Sequence, residues 1–99
     1  MDIKTSVKAF SALAQDTRLE IVRLLEEHNS EGLCPCNILE KIDLTNANLS
    51  FHLKELENAG LVRKEKKGKF VHYYAECEFI RELGNFLLGK CEFTKTKSK

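Results

Sequence analysis

Three features of the sequence predict a mainly α fold with a β-hairpin wing, the winged helix-turn-helix. They are four successive helical periodicities, a lysine-rich hairpin centred on Gly68, and one closing amphipathic segment. The chain has 99 residues, the length of a single domain. That domain is expected over residues 1–93, with residues 94–99 as a flexible basic tail.

Ile3, Val7, Phe10 and Leu13/Ala14 recur at helical spacing and predict an amphipathic first helix. Asp16-Thr17 suits the start of a second, whose Leu19, Ile21, Val22, Leu24 and Leu25 place it centrally in the core. It runs out near His28-Asn29-Ser30, and Gly32 turns the chain. Pro35 lacks an amide proton and suits the first turn of a third helix, with Ile38, Leu39 and Ile42 inward. Thr45 is the expected N-cap of a fourth helix, in which Leu49, Leu53 and Leu56 form the apolar stripe and Gly60 supplies the left-handed stop. Leu61-Val62 begins a strand, Lys67-Gly68-Lys69 turns, and Phe70 to Tyr74 are strand formers. Phe79, Ile80, Leu83, Phe86 and Leu87 then define a last helix to near Cys91.

Composition excludes several classes. Hydrophobic residues are 42% and charged residues 31%, as in folded soluble domains and unlike disordered chains. No apolar run is long enough to span a membrane. Asp2 and Lys4 interrupt any signal-peptide pattern, so a cytoplasmic location is expected. There the four cysteines are expected as thiols or metal ligands and not as a disulfide framework. No nucleophile–base pair, carboxylate dyad or phosphate loop stands out, and an enzyme is not expected.

The net charge of +1 conceals an uneven distribution. Residues 1–44 sum to −3 and residues 45–99 to +4, with five bases against one acid between Val62 and Tyr74. A basic hairpin directly after a helix pair points to a polyanion, here double-stranded DNA. On the fourth helix, Ala47, Ser50, Phe51, Lys54 and Asn58 face away from the leucine stripe, with Asn46 and Asn48 at the leading end. Small polar groups there suit the major groove, Phe51 could meet a thymine methyl, and Lys54 suits a phosphate. Lys66, Lys67 and Lys69 at the hairpin are the expected backbone contacts. His52 is expected as a partly buried histidine bonded to backbone, and His28 and His72 as surface and hairpin residues. The first and last helices each carry an apolar stripe that the small core cannot cover, which predicts a homodimer formed through them. The rival of another class is a winged-helix module that binds protein.

The string Leu49-Ser50-Phe51-His52-Leu53-Lys54-Glu55-Leu56-Glu57-Asn58-Ala59-Gly60-Leu61-Val62 resembles the recognition-helix hallmark of the arsenic-repressor (ArsR/SmtB) family of bacterial transcriptional regulators. Ala14 to Ile21 resembles that family's start of the second helix, and Lys67-Gly68-Lys69 with Val71, Tyr73 and Tyr74 resembles its wing. The likeness runs over about residues 5–91 in unbroken order. It implies a homodimeric operator-binding repressor, released from DNA when an inducer binds.

The cysteines resemble parts of two family sensor sites. Cys34-Pro35-Cys36 is similar to the Cys-x-Cys of an arsenite-sensing third helix, but Leu39 stands where a third cysteine belongs. Cys91 is similar to the first of a cysteine pair after the last helix, but Glu92 replaces the second. Cys77 and Cys91 bracket the last helix, about 21 Å apart, and cannot share an ion within one chain. Phe79 to Lys90 contains no histidine, which excludes the family's zinc and cadmium site there. The resemblance leaves Cys34, Cys36 and Cys91, drawn from one or two protomers, as the trio for As(III) or another thiophilic ion; no cofactor is required. Two other readings stay open: four ordinary thiols with an unknown effector, or an activated Cys36 near a helix N-terminus that senses redox state.

Overall fold

The computed structural model describes residues 1–91; the tail expected over residues 94–99 and the position of Glu92 lie outside them. The element order is α1 (Ile3–Leu13), α2 (Asp16–Glu27), α3 (Pro35–Lys41), α4 (Asn46–Asn58), β1 (Val62–Lys67), β2 (Phe70–Ala75) and α5 (Cys77–Leu88). This is the winged helix-turn-helix order that the sequence predicts. Among the described residues no helix is long and apolar enough to cross a membrane.

Local chemistry fixes the helix ends. Asp2 Oδ1 accepts the Thr5 amide at 2.8 Å and caps α1. Gln15 Oε1 accepts the Arg18 amide at 2.9 Å, so α2 is capped one residue ahead of the expected Asp16-Thr17. Thr45 Oγ1 accepts the Asn48 amide at 3.1 Å and caps α4 as expected. At the other end of α4, Gly60 takes φ 81°. Its amide bonds the Glu57 carbonyl, and the Leu61 amide bonds the Leu56 carbonyl, both at 3.0 Å. This paired pattern stops the helix and drops Leu61 into the core beneath Leu56.

The centre of the core is Ile21, Leu25, Ile38, Leu49, Leu56 and Leu61, all fully buried. The face that α1 turns to them differs from the expected stripe. It consists of Ser6, Ala9 and Ala12, with Phe10 and Leu13 half-buried at its margin. Small residues let two helices approach closely, and the Ser6 hydroxyl is satisfied at the carbonyls of Asp2 and Ile3, each 2.9 Å away. Ile3 and Val7 are consequently left on the outside, 66% and 57% exposed.

The hairpin pairs Val62 with Ala75 through Lys67 with Phe70, leaving Gly68-Lys69 as a two-residue turn. Gly68 supplies the positive φ, 64°, that such a turn takes at its first position. A third segment joins the sheet without a sequence signal. Leu33 and Tyr73 exchange both backbone hydrogen bonds, at 3.1 and 2.8 Å. Upstream, the Asn29 amide imitates a strand residue: its Oδ1 accepts the Ala75 N–H at 2.7 Å and its Nδ2 donates to the Ala75 carbonyl at 3.2 Å. Between them Gly32, at φ 74°, passes under the Tyr74 ring so closely that a Cβ would come within 2.7 Å of it. The segment from α2 to α3 is thereby stitched to the wing.

Candidate nucleic-acid interface

Ala47, Ser50, Phe51 and Lys54 are exposed on the side of α4 opposite the buried Leu49, Leu53 and Leu56, and Asn46 and Asn48 are exposed in its first turn. This division follows from the 3.6-residue period. Phe51 is 57% exposed, so the outward phase read from the sequence holds for this large apolar side chain. It is not bare, however. The Arg18 guanidinium carbon lies 5.7 Å from its ring centroid, and the His52 ring meets it edge-on at 5.7 Å. His52 is half-buried as expected, but its partner differs: Nδ1 accepts a hydrogen bond from Arg18 Nε at 3.2 Å, and no backbone group among the described residues bonds its ring. The other histidines do bond backbone, His28 to the Leu24 carbonyl and His72 to the Glu31 carbonyl.

The five bases of the hairpin are not equivalent. Strand alternation puts Arg63, Glu65 and Lys67 on one face and Lys64 and Lys66 on the other. Arg63 pairs with Glu65 at 3.1 Å and Glu76 at 3.3 Å and lies 4.7 Å over the Tyr74 ring. Lys64 reaches Glu57 of α4 at 3.8 Å. Lys67 folds toward Tyr74, with its ammonium 5.5 Å from the ring centroid, and a hydrogen bond to the Tyr74 side chain raises its pKa. Lys66 and Lys69 are exposed at the tip and pair with no acid among the described residues. Carboxylates therefore balance the base of the wing, and the uncompensated positive charge sits at Lys66, Lys67 and Lys69.

The thiols divide as well. Cys34 Sγ and Cys36 Sγ lie 2.9 Å apart, and Cys34 Sγ is 3.1 Å from Asn37 Oδ1. Cys34 is buried at the N-cap of α3, and Cys36 is exposed two residues later, at the second position of the helix. The hydrogen bond from Cys36 lowers the pKa of Cys34, and the same contact raises that of Cys36. That contact favours charge on the buried Cys34 sulfur over the exposed Cys36 sulfur. Cys77 is exposed at the start of α5, where Asn29 Nδ2 points to its sulfur at 3.5 Å. Cys91 is exposed just beyond α5. Among the described residues of one chain, no three His, Cys, Asp or Glu side chains converge on a metal-sized site, so Cys91 does not join Cys34 and Cys36 within a protomer. The pair offers two soft donors to a thiophilic ion, and a third must come from elsewhere.

An exposed polar face on the second helix of a helix pair, flanked by a hairpin with a cationic tip, defines a winged helix-turn-helix protein of the nucleic-acid-binding class. Residues 15–64 match the model of the "Bacterial regulatory protein, arsR family". A cadmium resistance transcriptional regulatory protein CadC homolog of Staphylococcus aureus is 38% identical, over 77% of this chain and 61% of that protein. The arsenical resistance operon repressor of Escherichia coli K12 is also 38% identical, over 74% of this chain and 61% of that protein. An uncharacterized HTH-type transcriptional regulator, YbzH of Bacillus subtilis 168, is 31% identical, over 82% of this chain and 93% of its own length. The match thus spans about three-fifths of the first two relatives and nearly all of the third. Among solved structures, HlyU from Vibrio cholerae N16961 superposes with a TM-score of 0.68 at 27% identity, covering 93% of this chain and all of that one. An ArsR-like transcriptional regulator from Rhodococcus sp. RHA1 shares the fold with a TM-score of 0.77 at 23% identity, over 85% of this chain and 76% of that one.

The chain belongs to the arsR family of bacterial regulatory proteins. These relatives are transcriptional regulators by name, and none is named as an enzyme.

Proposed function

We propose that the protein is a homodimeric transcriptional repressor that binds double-stranded operator DNA and leaves it when a thiol-reactive effector such as arsenite binds. The observation that carries this reading is the exposed face of α4 beside a cationic wing tip. Asn46, Ala47, Asn48, Ser50 and Phe51 are the groups that reach base edges, and Lys54 reaches phosphate. Lys66, Lys67 and Lys69 grip the adjacent backbone. Two copies would join through α1 and α5. Met1, two residues ahead of α1, and Glu82, Asn85 and Phe86 of α5 line one shallow hollow. Ile3, Val7, Leu87 and Leu88 are exposed on these two helices. A two-fold pairing would cover that surface and present two reading helices to a pseudo-palindrome.

Named functions of the relatives, cadmium resistance regulation and arsenical operon repression, support a soft-ion effector. Cys34 and Cys36 are the residues to hold it. Cys34 follows the Leu33–Tyr73 bridge to the wing, and Cys36 lies in the first turn of α3, which packs on α4, so ligation there strains the supports of both the wing and the reading helix. The 2.9 Å sulfur separation also suits closure to a disulfide by a two-electron oxidant such as a peroxide, with both thiol protons leaving in water, which makes redox state the second reading of the effector.

The wing provides the experiment. Changing Lys66, Lys67 and Lys69 together to Gln should weaken operator and random duplex alike and flatten the salt dependence by up to about 0.9 per lost phosphate contact. Lys66→Gln and Lys69→Gln should each cost more slope than Lys67→Gln, whose ammonium is partly held by Tyr74. An unchanged slope removes the wing from the interface. Absence of salt-sensitive duplex binding would favour a protein-binding winged helix.

A further inference from the structure

One guanidinium joins three helices at the reading face. Arg18 lies in the first turn of α2. Its Nε donates to His52 Nδ1 on α4 at 3.2 Å, its Nη1 reaches the Ala12 carbonyl at the end of α1 at 3.5 Å, and its charge lies 5.7 Å from the Phe51 ring centroid. No acid among the described residues pairs with it within 4 Å. Arg18 and His52 are half-buried, whereas Phe51, the group they flank, is exposed on the face proposed to meet DNA. An unsupported phenyl ring on a helix surface samples several rotamers and loses that freedom on binding. A ring held between a cation and an imidazole edge has already lost it.

We infer that Arg18 is a positioning residue for sequence reading: through His52 and the Phe51 ring it sets the direction of the outward aromatic on α4 without itself touching a base. The inference rests on the DNA-binding reading and adds to it a specificity-determining contact outside the recognition helix.

The arrangement carries a requirement on protonation. Arg18 Nε is a donor only, so His52 Nδ1 must be an unprotonated acceptor, with the ring proton on Nε2. Burial first, and the Arg18 charge second, hold the His52 pKa below its ordinary value. The ring is therefore neutral near pH 7. Protonation removes the acceptor and sets two cations 3.2 Å apart. The other charged groups facing this corner are Lys8 of α1 and Glu55 of α4, which line a shallow hollow with Arg18. The ordering of Phe51 is then complete above the ordinary histidine pKa of about 6.5 and is lost as pH falls through the depressed value.

The test is fluorescence anisotropy of the full chain on an operator fragment and on random duplex, at about pH 7.5 and at a lower pH at which the His52 ring, followed by its own NMR signal, is protonated. Reading the ratio of the two affinities cancels the general gain in positive charge as histidines protonate. Arg18→Met should lower the ratio on the order of 5-fold, with little change on random duplex. In a Phe51→Ala background Arg18→Met should have no further effect. Acidification should lower the ratio in wild type and not in Arg18→Met. His52→Gln keeps an acceptor and cannot titrate, so it should retain the ratio and abolish its pH dependence, which a merely structural role would not do. Incorporated 4-fluorophenylalanine at position 51 should show a pH-dependent fluorine signal in wild type, flat in His52→Gln, with no DNA present. This readout also serves if Arg18→Met fails to fold.

Equal losses on both duplexes, additive effects of Arg18→Met and Phe51→Ala, or a pH-independent ratio and fluorine signal in wild type would each overturn the inference while leaving the repressor reading intact. Failure of wild type to bind any duplex would overturn both.

Discussion

Charge placed on the outer faces of α1 and α5 is expected to produce a monomer that no longer holds its operator. Val7→Glu and Leu87→Glu together put carboxylates on two side chains that are 57% and 70% exposed. Neither residue supports the monomer core, where α1 contributes Ser6, Ala9 and Ala12 and α5 contributes Leu83. The monomer should therefore stay folded, with its helical circular dichroism unchanged. In a dimer the carboxylates would be buried without partners, at a cost of several kcal/mol. One reading helix on one half-site keeps little beyond the salt-dependent attraction to phosphate, so operator affinity should fall on the order of 10³-fold toward the random-duplex value. Sedimentation equilibrium of both proteins, beside anisotropy, checks this. A variant that remains dimeric, or a monomer that binds the operator as tightly as wild type, contradicts the assignment of this face.

The second large effect concerns the thiols. An ion releases the protein only if it binds the DNA-free form more tightly than the DNA-bound form. A coupling of ordinary size would lower operator affinity by about 5–150-fold at saturating arsenite. Cys34 supplies the readier thiolate and Cys36 the accessible one. Both are adjacent to the bridge between wing and α3. Cys34→Ser and Cys36→Ser are each expected to abolish release, and Cys77→Ser to leave it intact. Cys91 does not reach the pair within a chain, so Cys91→Ser affects release only through a thiol lent by the other protomer. If the Cys34/Cys36/Cys91 triple variant responds like wild type, or if wild type ignores arsenite, zinc, cadmium and oxidant alike, the thiols are not the sensor.

Much of this architecture was legible in the sequence because it is written in short-range spacing. Leu49, Leu53 and Leu56 repeat at the helical period, and that alone fixes which face of α4 is outward. Thr45 and Gly60 mark its ends by their backbone chemistry. The lysines flanking Gly68 announce the wing. What periodicity does not carry is identity of partner. Arg18 and His52 are 34 residues apart, and nothing local tells a histidine whether backbone or a guanidinium will meet it. The apolar stripe of α1 was visible, but not that Ser6, Ala9 and Ala12 would take the core side, because close helix packing selects for small size and hydropathy scales do not. Leu33 joins the sheet through backbone alone, so its side chain gave no sign of it. The contact between Cys34 and Cys36 depends on how the turn into α3 directs two side chains, which residue types alone do not state.

Joint binding of operator DNA by the exposed face of α4 and the wing tip is measured by titrating the protein into labelled genomic duplexes and a scrambled control. Anisotropy is followed from about 0.05 to 0.3 M salt. Some genomic fragments are expected to bind at least about 10³-fold more tightly than the control. Log affinity should fall linearly with log salt for both, and Phe51→Ala should erode the preference while the lysine variants erode the slope. Binding that is equally tight on every duplex, or independent of salt, would contradict such joint binding.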